Sequence, residues 1–331
     1  MCEHVLLTGA SGFIAKHILV RLLAAGHSVR ATVRDPSREA ELRRLVPEAN
    51  DRLGFVTLDL MQDKGWAGAL DGMTAVLHTA SPFPIAQPAN EDEVIRPAVD
   101  GTLRALRAAT AAGVHRVVLT SSVAAILHRG GTGAQDESDW ADPDQPGTTA
   151  YVKSKTLAER AAWDFAATAP GLKLTVLNPS LVLGPPLDDV FGSSVGVVRR
   201  FLSGKDPVVP VMGMPLVDVR DVAEAHVRAL GRPETAGKRY ILSSGSMWFG
   251  EMTVALKQAY PNRRIATRPA PKPLLRLLAL FDKEIRSILP ELGHITLVDN
   301  SRARTELGID FIPAKDALLA TAKALVDRGL V

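Results

Sequence analysis

A single cysteine, Cys2, stands in 331 residues. One thiol at the chain start builds neither a disulfide framework nor a thiolate metal site, and it fits a reducing, cytoplasmic setting. No two of the eight histidines lie four apart and no His-Glu-x-x-His pattern occurs, so a metal centre is not expected. Lysine and arginine number 39 against 36 acidic residues; the net charge of +3 is too small and too dispersed for a nucleic-acid surface. No apolar run approaches the ~18 residues of a membrane span, because Arg276 interrupts the best candidate, PLLRLLALF. The first residues lead straight into an apolar strand with no basic segment and cleavage site, so no signal peptide is read. Internal repeats and low-complexity tracts are also missing.

What is present is an alternation of short β-branched runs with helical patterns. Strands are expected at HVLLT, SVRATV (28 to 33), LGFVTLD (53 to 59), TAVLHTA (74 to 80), RVVLTSS (116 to 122) and KLTVLN (173 to 178). Helices are expected from Gly12 to about Ala25 and over 37 to 46, 91 to 112 and 149 to 168, with Pro97 kinking the third or starting it anew. Such alternation gives right-handed crossovers and a parallel sheet covered on both faces, a doubly wound α/β domain of Rossmann type over residues 1 to 178. From 179 to 331 proline and glycine break the regularity. That half reads as a smaller mixed α/β substrate lobe, with helices near 193 to 203, 250 to 259 and 314 to 328 and with segments near 217 to 245 returning to the main sheet.

The stretch VLLTGASGFIAKHI joins a strand to a helix through glycines. Gly9 allows the tight turn and Gly12 lets backbone approach a pyrophosphate at a helix N-terminus; Ala15 is small enough to pack helix on strand. The second strand ends in VRATVRDPSR, where free ribose hydroxyls would call for an acid and a 2′-phosphate for arginine. Arg34 and Arg38 thus point to NADPH, the alternative being solvated surface charge. In YVKSK, Tyr151 and Lys155 share a helix face, so the ammonium is expected to lower the tyrosine's pKa and ready it as a proton donor. Ser121 and Ser122 end a central strand, where one hydroxyl can hold a carbonyl oxygen or simply cap the turn.

With TGASGFIA, VRATVRDP, VLHTASPF, VVLTSSVAAI, YVKSKTLAE, NPSLVLGP and VDVRDVAEAH in order, the chain resembles the extended short-chain dehydrogenases/reductases. The dihydroflavonol 4-reductase-like branch, with its methylglyoxal-type carbonyl reductases and cinnamoyl-CoA reductases, is the nearest in pattern. The resemblance implies a catalytic trio of Ser122, Tyr151 and Lys155. It implies that Gly9, Ser11, Gly12, Phe13 and Ile14 wrap the pyrophosphate and that Arg34 and Arg38 hold the 2′-phosphate. Asp59 and Leu60 would border the adenine, Thr79, Ala80 and Ser81 the ribose, and Asn178, Pro179 and Ser180 the nicotinamide, with Tyr151 and Lys155 also touching the cofactor.

Three departures narrow the chemistry. Leu127 stands where dihydroflavonol enzymes have an asparagine for flavonoid hydroxyls, and TTAYVKSK lacks the aromatic and cysteine residues of the cinnamoyl-CoA branch. Val123 and Ala124 stand where sugar-nucleotide dehydratases have an acidic pair. The expected function is NADPH-dependent reduction of apolar aldehydes or ketones, with Leu127, Leu183, Val190, Phe191 and Met214 as pocket walls. The expected partners are small-molecule carbonyls, without nucleic acid or membrane, in a monomer or homodimer. The alternatives are a sugar-nucleotide epimerase that retains NAD and, from another class, a non-catalytic sensor of the NADPH/NADP ratio.

Overall fold

In the computed structural model, described for residues 2 to 81, 90 to 128, 133 to 281 and 283 to 331, ten strands form two sheets. They are β1 (His4–Thr8), β2 (Ser28–Val33), β3 (Leu53–Thr57), β4 (Ala75–His78), β5 (Arg116–Thr120), β6 (Lys173–Pro179), β7 (Leu181–Leu183), β8 (Gly213–Asp218), β9 (Lys238–Leu242) and β10 (Gly245–Trp248). Seven of them run parallel in the order β3-β2-β1-β4-β5-β6-β9. The smaller sheet, β10-β8-β7, is mixed: β7 lies parallel and β10 antiparallel to β8. The expected α/β class and the return of a late strand to the main sheet both hold. Of the segment 217 to 245, the strand 238 to 242 returns, whereas the strand ending at Asp218 stays in the small sheet.

Burial explains why the central runs are uninterrupted apolar sequence. Every residue of β4 is buried, and Val5, Leu6 and Leu7 of β1 are buried too, as expected of strands covered on both faces. The first seven helices, in chain order, are α1 (Phe13–Ala24), α2 (Glu39–Leu45), α3 (Trp66–Leu70), α4 (Asp92–Ala111), α5 (Ala150–Thr168), α6 (Ser193–Ser203) and α7 (Val219–Leu230), and of these α1 and α7 pack one face of the main sheet. The other is covered by α3, α4 and α5 around Leu6, Val76, Leu106 and Leu174. Caps set the starts that matter: the Thr149 hydroxyl accepts from Val152 N at 3.3 Å before α5, and the Asp218 carboxylate from Arg220 N at 2.8 Å before α7.

Two expectations change. Pro97 neither restarts nor ends α4; it sits inside one continuous helix, in the second turn, where its missing N–H removes a single ladder bond. RVVLTSS leaves the ladder after Thr120, because Ser122 turns to cap a short 3₁₀ turn, Val123–Ala125. In the motif VLHTASPF the last two residues, Pro82 and Phe83, lie outside the described residues. The strand order reverses between β1 and β4, and the crevice above their carboxyl ends is where open α/β sheets take ligands.

Candidate active site

At the end of β1, Gly9 has φ +69, and a Cβ there would come within 2.9 Å of the Ala80 backbone. A Cβ on Gly12 would meet the Gly9 carbonyl at 3.2 Å, which is itself the acceptor for Gly12 N at 2.9 Å. Thr32 fixes the turn from β2, its hydroxyl accepting from Gly9 N at 3.0 Å and its carbonyl from Ala10 N at 3.1 Å. α1 then begins at Gly12 with no side-chain cap and no acidic residue in its first turn. Its first N–H groups and the positive end of its dipole are therefore available to an anion. Ser11 and Ile14 are half-buried beside this turn and Phe13 is buried, its ring edge-on to His17.

The end of β4 is tied to the same turn through Thr8. The Thr8 hydroxyl accepts from Thr79 N and Ala80 N, each at 3.1 Å, so its own proton goes to His78 Nδ1, 2.8 Å away. This leaves the His78 proton on Nε2, a buried atom with no partner among the described residues. Burial, with Lys155 adding to it, lowers His78 to about 4, so the ring is neutral. Asn178 Oδ1 and Ser180 Oγ, at the carboxyl end of β6, are likewise buried and unpartnered. Buried polar atoms need partners. These stand along the edge where the ribose and nicotinamide of a dinucleotide are expected, and with the glycine cradle they fit such a cofactor.

Arg34 is exposed and makes no hydrogen bond or ion pair with another described residue. Arg38 differs: its guanidinium already meets Glu41 at 2.9 Å and Asp188 at 3.6 Å. The Asp59 carboxylate accepts from Met61 N at 2.8 Å in an exposed local turn, and Leu60 packs against Gly101 of α4.

Ser122, Tyr151 and Lys155 come together at the carboxyl edge of the main sheet. The Tyr151 hydroxyl is hydrogen-bonded to the Ser122 side chain, whose oxygen also accepts from Ala124 N at 3.1 Å. Lys155 Nζ lies 5.9 Å from the Tyr151 ring centroid. The electrostatics correct the expectation of an acidified tyrosine. Burial pushes the Tyr151 phenol above its ordinary value, with the Ser122 hydrogen bond opposing it, and burial lowers Lys155 to about 8 against the pull of Glu159. For the phenol, burial is the largest effect and outweighs the opposing hydrogen bond. A phenol that keeps its proton through neutral pH remains able to donate it.

Beneath the trio lies a buried hub that motif matching missed. Glu159, fully buried one turn after Lys155, accepts from Ser121 Oγ at 2.5 Å, Asn178 Nδ2 at 2.7 Å and Arg239 Nε at 2.6 Å. Asn178 Nδ2 also donates to the Ser122 carbonyl at 3.1 Å, which links the hub to the turn that carries Ser122. Arg239 stacks over Trp140 at 3.8 Å and donates to the carbonyls of Glu137 and Asp139. Through these contacts Arg239 ties the segment 136 to 140 to β9. The signal for Glu159 was its spacing: Tyr151, Lys155 and Glu159 form one stripe along α5.

The five pocket candidates separate. Leu127 is half-buried and packs against the apolar cluster of Val123, Ile126 and Ile241. Phe191 and Met214 are half-buried against the lobe's core. Leu183 is fully buried in that core and forms no wall, because β7 pairs it beside Asp218. Val190 is half exposed, and its carbonyl accepts from Lys16 of α1 at 3.0 Å. Among the described residues no helix is long and apolar enough to cross a membrane, and no cluster of potential metal ligands occurs.

A family model described as the NAD dependent epimerase/dehydratase family matches residues 5 to 243. Cinnamoyl-CoA reductase 2 of Arabidopsis thaliana is 33% identical over 98% of this chain and 93% of its own length. Dihydroflavonol 4-reductase of Zea mays is 34% identical over 80% of this chain and 76% of its own. Among solved structures, the yeast methylglyoxal/isovaleraldehyde reductase complexed with NADPH aligns with a TM-score of 0.83 and 27% identity, covering 99% of this chain and 100% of that one.

Proposed function

Because the chain belongs to the NAD-dependent epimerase/dehydratase family, as an NAD(P)-dependent reductase of dihydroflavonol and cinnamoyl-CoA reductase type, we propose that it reduces apolar aldehydes and ketones with NADPH. The observation that carries this reading is the Ser122, Tyr151 and Lys155 cluster, with an uncapped helix start at the glycine turn and an Arg34 that is unpaired among the described residues. Bound NADPH supplies the hydride to the carbonyl carbon. Tyr151 gives its proton to the carbonyl oxygen, Ser122 holds that oxygen, and Lys155 holds the ribose side of the site. Gly9, Ser11, Gly12, Phe13 and Ile14 take the pyrophosphate and Arg34 the 2′-phosphate, with Asn178 and Ser180 turning their unpartnered atoms to the nicotinamide side. Val123 and Ala124 offer no acid or base for a dehydration.

Cofactor choice is testable at Arg34. Arg34→Ala is expected to raise the KM for NADPH by about ten- to a hundredfold, the equivalent of a charge-assisted hydrogen bond, while the KM for NADH hardly moves. Equal losses for both cofactors would make Arg34 a structural residue.

Substrate class is testable at the pocket. The apolar neighbours of Leu127 offer nothing to pair a catechol, and a buried unpaired hydroxyl costs about 1–3 kcal/mol. Hydrophobic ketones or aldehydes should therefore exceed a dihydroflavonol in kcat/KM by at least about tenfold with NADPH. A preference for the dihydroflavonol would mean that polar groups elsewhere replace the missing asparagine.

A further inference from the structure

The segment between β7 and α6 lies against the start of α1, and its carboxylate Asp188 is held in place from several directions. Asp188 Oδ1 accepts from Lys16 Nζ at 2.5 Å and from Val190 N at 2.9 Å. The same segment is pinned by His17 Nε2, which donates to the Pro185 carbonyl at 3.1 Å, and by Arg328, which donates to the Leu187 carbonyl at 2.8 Å. Lys16 is 1% exposed, so its ammonium has little water to turn to and stays committed to this segment. With Oδ1 thus occupied, Oδ2 is the atom that faces Arg38, at 3.6 Å from Nη2, while Glu41 takes Nη1.

Arg38 is therefore a cation with two carboxylate partners where a second arginine for the 2′-phosphate was expected, and Arg34 has none among the described residues. A phosphate approaching Arg38 meets the negative charge of Asp188, which cannot swing away while Lys16 and Val190 N hold it. We propose that Asp188, assisted by Glu41, is a specificity-determining residue that competes with the cofactor's 2′-phosphate for Arg38 and so tempers the preference for the phosphorylated dinucleotide. This inference rests on the NADPH reading of Arg34 and Arg38. The Arg38 pairs are partly solvated and therefore weak, so the competition adjusts affinity by a small factor rather than abolishing binding.

The test is calorimetric binding of two probes, adenosine 2′,5′-bisphosphate and adenosine 5′-monophosphate, to the full chain and to two variants at low salt. Asp188→Asn removes the competing charge; Glu41→Gln relieves Arg38 without touching Lys16, and so guards against a local rearrangement around the unpaired ammonium. Each variant should bind the bisphosphate roughly two- to fivefold more tightly than the parent does, with the monophosphate unchanged and the gain shrinking at high salt. Equal changes for both probes, no change, or weaker bisphosphate binding in Asp188→Asn would overturn the inference, the last by making Asp188 an organiser of Arg38. The parent protein reports separately on the NADPH reading. If it shows no preference for the bisphosphate and the variants gain one, the cofactor reading fails and the competition stands; if neither parent nor variants show a preference, both fail.

Discussion

Tyr151→Phe should lower turnover by about a hundredfold or more, because a positioned general acid contributes roughly 10²–10⁴ and the substitution removes only the transferable proton. Phenylalanine keeps the ring beside Lys155 and loses the hydrogen bond to Ser122, so cofactor affinity should stay nearly intact. Measuring kcat and the dissociation constant for NADPH in the same preparation separates these effects. Turnover like that of the parent protein would remove Tyr151 from the proposed role. A comparable loss of cofactor binding would instead make it a cofactor residue first.

The largest stability effect is expected one turn further along the same helix. Glu159→Ala leaves the Arg239 guanidinium without its carboxylate in a site where Arg239 is only 7% exposed, and deprives Ser121 and Asn178 of their shared acceptor. Breaking a buried pair by deleting one partner costs about 3–5 kcal/mol, since the remaining charge keeps its desolvation penalty. That is a large fraction of the ~5–15 kcal/mol that holds a typical domain together. A urea titration should show the loss as a lower midpoint, and replacing both members, Glu159→Met with Arg239→Met, should recover much of it because the second charge goes as well. A cost for Glu159→Ala under about 1 kcal/mol would show that the hub adds little to the fold.

How far the sequence could be read varied with the range of the forces involved. The strand Ser28–Val33 and the helix Ser193–Ser203 were bounded to the residue, because β-branched runs, glycine and helical periodicity act locally. The five-residue helix Trp66–Leu70 and the strands Leu181–Leu183 and Gly245–Trp248 were not seen; each is too short to show a period and is held by tertiary contacts. Tyr151 and Lys155 were legible from a spacing of four, and Glu159 continued the same stripe. The sign of the tyrosine's shift was not legible, since burial by distant segments outweighs the neighbouring ammonium. Arg38 shows the same limit: its acidic partner Asp188 lies 150 residues away in sequence, in the segment between β7 and α6. Leu183 looked like any apolar residue of a lobe that closes on a substrate, and only the pairing of β7 with β8 places it in the core.

The central claim is hydride transfer from NADPH to a carbonyl carbon with release of the product. It is tested most directly by incubating the purified full chain with an apolar aldehyde and NADPH deuterated at the transferable C4 position. The account predicts one NADPH consumed for each alcohol formed, with one deuterium on the carbinol carbon. A tightly retained NAD that co-purifies with the protein, together with no net consumption of NADPH and no labelled alcohol across aldehydes and ketones, would contradict it.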